Sequence, residues 1–327
     1  MFELSIATII LTFFLSYYSN GIGKKLSLLD IPNKTKVHDK AIPITGGLIL
    51  FLSICLSFFF QKYINEANHF ILIYFLFSFF FVGLIDDKIN LKPYIRILLI
   101  LLISYYYIYS QNFFVIEKIY FEILNFELYF GKYKILVTLL CIILLYIALN
   151  MADGINGLII LISLFGIVIL KLFIIGNNFN IIDISIFSAL FVLFFFNYKN
   201  KIFLGNSGTT LLVGYFVFLT IEKNYYFKID VFNIISIFLI MGIDMVRLFF
   251  LRISNNKNPF NSDQNHFHYI LLKRFNLHYA NFIYILLSFS PVILYKLFDL
   301  SILIFISISV ISYFLILLNN KNHERKN

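Results

Sequence analysis

Two adjacent aspartates, Asp86 and Asp87, close an apolar run that begins at Phe70, within the stretch FVGLIDDKINLKPYIR. Neighbouring carboxylates repel one another and resist desolvation. In so apolar a chain the pair points to a cation or a proton relay that uses it, and the plainer alternative is a helix end facing water. Four more polar clusters interrupt the apolar runs. DIPNKTKVHDKAIPITGG, residues 30–47, sets Lys34, Lys36, His38 and Lys40 among the helix breakers Pro32, Pro43, Gly46 and Gly47. That composition suits a phosphate or anionic lipid headgroups. Pro93, just past the aspartates, predicts a break with Arg96 in the first turn of the next helix, as a phosphate contact or a positive-inside anchor. NMADGINGL, residues 150–158, spaces Asn150, Asp153 and Asn156 at i, i+3 and i+6, which on a helical turn share one face. Its Gly154 and Gly157 permit close approach, and grouped amide and carboxylate oxygens suit a hard cation such as Mg²⁺. A polar turn between two spans would need the same residue types.

KIFLGNSGTT, residues 201–210, opens a helix at Gly205-Asn206-Ser207-Gly208. Its unpaired N–H groups and dipole would hold a phosphate, or the turn is a helix start capped by Ser207 or Thr209. Last comes NPFNSDQNHFHYILLKR, residues 258–274, preceded by Asp244 and Arg247 inside an apolar segment, where charges default to function. His266 and His268 flank Phe267. Without Cys or a nearby Glu they make a poor zinc set and fit phosphate or uracil better.

These clusters need a scaffold, and the composition names its class. The chain has 327 residues, 61% of them apolar and only 13% charged, with a mean hydropathy of +0.89. A soluble domain is about half apolar, so this is an all-α polytopic membrane protein. Spans of about 17–25 residues are expected at 2–20, 43–61, 69–85, 93–110, 132–149, 157–176, 181–197, 209–222, 231–251, 280–297 and 300–318, eleven in all. Lys24 and Lys25 follow the first span, which lacks the basic start of a signal peptide, so the N-terminus is placed outside and the C-terminus in the cytoplasm. Alternation then puts every polar cluster on the cytoplasmic side. The outside segments hold only Lys62, Lys118, Lys132, Lys134, Lys171, Lys223, Lys228 and Lys296. The net charge of +9 thus reflects the positive-inside rule, not nucleic-acid binding. Residues 1–318 read as one integral-membrane domain and 319–327 as a disordered cytoplasmic tail. Residues 112–131 alternate apolar and polar and are expected to form a short β-hairpin on the outer face. Cys55 and Cys141 lie in apolar runs as core thiols. No internal repeat is visible, and polar motifs on one side argue against a transporter with a mid-membrane site.

The five motifs, in order from Asp30 to about Arg274, resemble those of the polyprenyl-phosphate N-acetylhexosamine-1-phosphate transferases, glycosyltransferase family 4. The family includes the enzymes that start O-antigen, enterobacterial common antigen and teichoic-acid linkage synthesis, and the phospho-muramoyl-pentapeptide transferase. The HFHY segment looks closer to the HexNAc branch than to the muramoyl-pentapeptide branch, where three histidines run together. The resemblance implies transfer of HexNAc-1-phosphate, GlcNAc first among candidates, from a UDP-sugar to undecaprenyl phosphate with release of UMP. It implies Mg²⁺, with Mn²⁺ as alternative, and a multi-pass protein of the bacterial cytoplasmic membrane; a homodimer is left open. It assigns Asp86, Asp87 and Asp153 to catalysis and Asn150, Asn206 and Asp87 to the metal. Lys36, His38, Arg96, Asn156, Gly205, His266 and His268 are assigned to substrate. Asn206 stands where the family pattern has a metal-ligating Asp, Asn156 where it has a second Asp. Gln264 replaces Arg, Tyr269 the last His, and Ile100 a Gln. These departures keep two alternatives in view: a different UDP-HexNAc donor, such as a 6-deoxy or diamino sugar, and a catalytically weak homologue that binds the lipid carrier.

Overall fold

A computed structural model describes residues 1–32, 40–63, 67–176, 179–259, 263–298 and 300–324. The chain divides into two compact units: residues 1–111 with 178–219, and residues 112–177 with 220–327.

The first unit begins with α1 (Phe2–Tyr17) and α2 (Ser19–Leu26), bent by 65°. The buried face of α1 is Leu4, Thr8, Thr12 and Ser16, one residue per turn. Small hydroxyl residues let helices approach closely where lipid offers no hydrophobic drive for association. Thr8 and Thr12 donate back to the carbonyls of Leu4 and Thr8, and Thr12 Oγ1 lies 3.1 Å from Ser53 Oγ. Ser53 belongs to α3 (Gly46–Leu56), which follows a two-residue antiparallel pair, β1 (Leu29–Asp30) with β2 (Ile42–Pro43). The pair ties off the first polar cluster at its base. Next come α4 (Ala67–Ile89) and α5 (Pro93–Ser110), the latter starting at the proline whose missing N–H suits a first helical position. Two more helices complete the unit: α8 (Ile181–Tyr198) and the first part of α9 (Gly205–Tyr226). Asn180 and Asp183 form a reciprocal capping box at the start of α8, and buried Tyr215 donates to Asp183 at 2.7 Å.

The second unit opens with a hairpin, β3 (Lys118–Phe121) and β4 (Phe126–Tyr129), paired antiparallel from Lys118↔Tyr129 to Phe121↔Phe126. It continues into α6 (Lys134–Ala152) and α7 (Leu158–Ile169), which runs on as a π-helical turn, Leu170–Ile175. Four helices complete it: α10 (Val231–Ser254), α11 (Phe267–Arg274), α12 (Leu277–Phe298) and α13 (Ile302–Glu324). Helix α13 continues past residue 319, into the segment whose polarity reads as a tail.

The protein is a polytopic membrane protein. Each of the eleven expected apolar segments contains a helix. Among the described residues, eight helices are long and apolar enough to cross a bilayer, nine if the bent α1–α2 pair counts as one span. Helix α3 is shorter, and α9 carries too much polarity to pass the same test.

Candidate functional site

In the first unit the two aspartates have different work, although they adjoin in sequence. Asp86 is buried, and its Oδ2 accepts from Arg96 Nη1 at 2.8 Å while Oδ1 accepts from Leu91 N at 2.8 Å. It therefore closes the α4–α5 turn and pins the cation that the sequence offers as a phosphate contact. Asp87, about a hundred degrees further round the helix, points at the start of α9. Its Oδ1 accepts from Asn206 N at 2.7 Å and its Oδ2 from Ser207 N at 2.9 Å. Two of the helix-start N–H groups that the sequence offers to a phosphate are thus taken by a carboxylate from another helix. The cap expected of Ser207 or Thr209 is supplied by Asp87, a favourable anion at a helix N-terminus.

The sequence makes this approach feasible. A Cβ at Gly83, one turn before Asp87, would stand 2.4 Å from Asn206 O, and one at Gly205, which has φ +76°, would stand 2.8 Å from Asp87 Oδ2. On the other side of α9, Gly46 and Gly47 donate to the carbonyls of Phe203 and Leu204 at 3.0 and 2.8 Å. The ITGG end of the first cluster is therefore a packing surface for the GNSG turn. Lys36 and His38 lie outside the described residues.

In the second unit, α6 ends at Ala152, so Asn150 is helical while Asp153 and Asn156 stand in the following turn. The three do not share one helical face. Gly154 and Gly157, the latter at φ +82°, unwind the chain before the spacing completes. Asp153 is exposed, and Asn281 of α12 donates to Asn156 O at 2.9 Å, fixing the turn. The histidine segment seats directly on this turn: a Cβ at Gly154 would fall 2.0 Å from His268 Nε2.

Helix α11 is held from behind by the charges inside α10. Asp244 is buried, and its Oδ1 accepts from Arg247 Nη2 at 2.6 Å and from Tyr313 Oη at 2.8 Å. Its Oδ2 accepts from Phe267 N at 3.1 Å. Arg247 also donates to Asn265 O and to Tyr313 Oη, at 2.6 and 2.9 Å. One turn further on, Arg252 donates to Asp263 Oδ2 and Pro259 O and faces His266 Nε2 at 3.4 Å. On its other side His266 Nδ1 lies 3.5 Å from Asp244 Oδ2.

The rings of His266 and His268 are near parallel, with centroids 5.2 Å apart. Burial, together with the neighbouring His266, pushes the His268 imidazole down to about 3, against the pull of Asp244. His268 is neutral at physiological pH, a hydrogen-bonding group rather than a cation. Tyr269 is pushed up by burial and by the charge of Asp153. The hydrogen bond from Arg252 keeps the Asp263 carboxyl below its ordinary range although burial opposes it.

With this geometry in hand, the chain can be set beside known proteins. The profile of Glycosyl transferase family 4 matches residues 69–224. A Bacillus subtilis protein named probable undecaprenyl-phosphate N-acetylglucosaminyl 1-phosphate transferase is 28% identical over 261 residues, 77% of this chain and 71% of its own length. Over residues 69–224 the chain is similar to glycosyl transferase family 4. Two more relatives are named undecaprenyl-phosphate alpha-N-acetylglucosaminyl 1-phosphate transferase. The Escherichia coli K12 protein is 23% identical over 79% of this chain and 72% of its own length. The Thermotoga maritima protein is 26% identical over 81% and 80%.

The donor groups present suit a hard divalent cation in kind. Asp87 and Asn206 in the first unit, and Asp153, Asn150 and Asn156 in the second, offer carboxylate and amide oxygens. Both oxygens of Asp87 already accept one backbone N–H each, which leaves it only its remaining lone pairs. Asp153 is the more accessible carboxylate. Among the described residues no group of three or more His, Cys, Asp or Glu side chains is arranged to hold a metal ion, so a cation here would keep waters or take substrate oxygens.

Sequence reasoning missed Tyr313, Arg252 and Asn281. Tyr313 lies some forty residues beyond the last motif, yet it is fully buried and bonded to both Asp244 and Arg247. The only signal for it is indirect: an Asp and an Arg at i, i+3 inside a span require further polar partners.

Proposed function

We propose that this chain transfers a HexNAc-1-phosphate, GlcNAc-1-phosphate first among the donors, from a UDP-sugar to undecaprenyl phosphate, at the first step of a cell-envelope polysaccharide. A lipid phosphate oxygen forms a bond to the β-phosphorus of the sugar nucleotide, the bond from that phosphorus to the bridging oxygen breaks, and UMP leaves with the electron pair. Such chemistry needs positioning and charge neutralisation more than covalent help. The observation that best supports the reading is the seating of His268 on Gly154. It sets two histidines against a turn bearing Asp153, in a chain whose relatives carry the name of this reaction.

In this reading Asp153 is the reactive carboxylate of the second unit, and His266 and the neutral His268 contact the nucleotide. Asp87 acts by setting the first turn of α9, and Asp86 by orienting Arg96 toward phosphate. Mg²⁺, held by Asp153 with Asn150 or by Asp87 with Asn206, would neutralise diphosphate charge. The eleven-span arrangement, with N-terminus outside and the motifs cytoplasmic, belongs to the same proposal. A topology reporter placing residue 153 outside would sink it.

A second reading, a different UDP-HexNAc donor, is favoured by Tyr269, whose ring centroid lies 4.4 Å from that of His268, in place of the histidine of the family pattern. The test uses purified protein in detergent with undecaprenyl phosphate, Mg²⁺ and a panel of UDP-sugars, following UMP release and lipid-linked product. Turnover with UDP-GlcNAc supports the first reading, and turnover only with another donor the second. Lipid-phosphate binding without turnover on any donor would overturn both in favour of an inactive homologue.

A further inference from the structure

The β3–β4 hairpin has a feature that the transferase reading does not use. Its tip and outer edge are apolar and exposed: Ile123, Leu124, Phe126, Leu128 and Tyr129, with Leu124 69% accessible. A turn joining two strands is ordinarily polar, and contiguous exposed apolar side chains mark an interaction surface.

The hairpin is not a loose arm. Asp230, at the N-cap of α10, accepts from Glu122 N at 3.1 Å and bridges to Tyr120. Phe121 packs edge-on against Phe232 in the first turn of α10, at 5.6 Å. Tyr295, in the last turn of α12, donates to Glu122 at 3.1 Å, and Thr138 in α6 accepts from Ile116 N at 2.9 Å. The hairpin is therefore fixed at the level where α6 and α10 begin and α12 ends, each of them long and apolar enough to cross a bilayer.

That level decides what covers the apolar edge. The exposed leucines Leu136, Leu140 and Leu144, spaced four apart along the apolar helix α6, start seven residues beyond Tyr129. The charges of the hairpin are arranged for a poorly hydrated zone. Glu117 pairs with Lys134, Glu127 with both Lys118 and Lys228, and Glu122 accepts the Tyr295 hydroxyl. No carboxylate of the hairpin is left without a donor. Lys118, Lys132 and Lys228 stand over the rings of Tyr129, Tyr133 and Tyr120 at 5.2 to 5.5 Å. Paired Tyr and Lys side chains are the makeup of a membrane-interface belt, here in a chain without tryptophan.

We infer that the hairpin tip, Ile123 to Tyr129, is an interfacial anchor that inserts into the headgroup–acyl boundary of the leaflet at which α10 begins, its occupant being lipid rather than a protein partner. The absence of tryptophan provides a clean test. Leu124→Trp and Leu128→Trp each introduce a single reporter on an exposed position where folding is not at stake. Phe314→Trp, on an exposed position midway along α13, is the deep reference. Each protein is reconstituted into phosphatidylcholine–phosphatidylglycerol vesicles whose acyl chains are brominated near the glycerol or near the terminal methyl. Expected is a blue-shifted emission from the hairpin reporters with a shallow-to-deep quenching ratio above one, and a ratio below one for Phe314→Trp. Water-like, unquenched emission from both hairpin reporters, with Phe314→Trp quenched in the same preparation, overturns the inference. So does blue-shifted, unquenched emission that reverts on dilution into excess lipid, since a second copy of the chain would then cover the edge.

Discussion

Asp87→Asn separates two roles that an activity assay alone would merge. The carboxylate accepts one backbone N–H on each oxygen, from Asn206 at 2.7 Å and Ser207 at 2.9 Å. An asparagine keeps one acceptor and turns an NH₂ group toward the other donor, which cannot find a substitute beside Gly83 and Gly205, where even a Cβ does not fit. A hydrogen bond to a charged group contributes about 1.5–3 kcal/mol, and a buried donor left unmade costs about 1–3 kcal/mol. The lost anion at the start of α9 adds roughly 0.3–1 kcal/mol. Because these terms overlap, the expected net loss is about 2–4 kcal/mol. The assay is equilibrium unfolding in mixed detergent micelles followed by circular dichroism, with UMP release measured on the same samples. Asp153→Asn is the control, its side chain being exposed: it should lose turnover while unfolding within about 0.5 kcal/mol of the parent. An Asp87→Asn protein that unfolds like the parent yet turns over nothing would refute the capping role. Asp87 would then act on substrate directly.

Three further outcomes follow from the second unit. Gly154→Ala places a methyl 2.0 Å from His268 Nε2, so the buried imidazole must move; overpacking of this kind costs about 1–3 kcal/mol. UMP release should fall well below the parent while the protein still inserts, and parental kinetics would show that His268 does not need its seat. Tyr313→Phe removes the hydroxyl shared by Asp244 and Arg247, leaving Arg247 Nε only its longer bond to Asp244 Oδ1 at 3.2 Å and that oxygen one donor fewer, a loss of about 0.5–1.5 kcal/mol. A raised KM for the UDP-sugar, with KM for the lipid acceptor unchanged, is expected, and equal changes in both would argue for a general loss of fold. His268 supplies a pH dependence. Its folded value of about 3 lies below the ordinary histidine value, so between the two the unfolded chain binds a proton that the folded chain does not. Stability should fall as pH drops below about 6.5, by about 2 kcal/mol at pH 5, and His268→Gln should remove that part of the slope. An unchanged slope in His268→Gln would mean that the ring is hydrated and titrates normally.

Much of this architecture is legible in the order of residues alone. Apolar runs of bilayer length must become helices, because lipid offers no other partner for backbone N–H and C=O groups. Pro93 marks the start of a helix. The polar clusters are visible for the same reason, since charges and amides in so apolar a chain stand out. What each polar group bonds to was decided only by the fold. Asp86 and Asp87 are identical in type and adjacent, yet the turn of α4 sends one to Arg96 and the other to the N–H groups of Asn206 and Ser207, some 120 residues away in the chain. The i, i+3, i+6 spacing of Asn150, Asp153 and Asn156 promises a shared face that the unwinding after Ala152 cancels. Tyr313 has no motif, and only the packing of α13 on α10 and α11 turns an ordinary tyrosine of an apolar span into the partner of a buried ion pair. Hydropathy and backbone chemistry act over neighbouring residues and can be read along the chain. Hydrogen-bond partnership acts across space, and it exists only once the helices are packed.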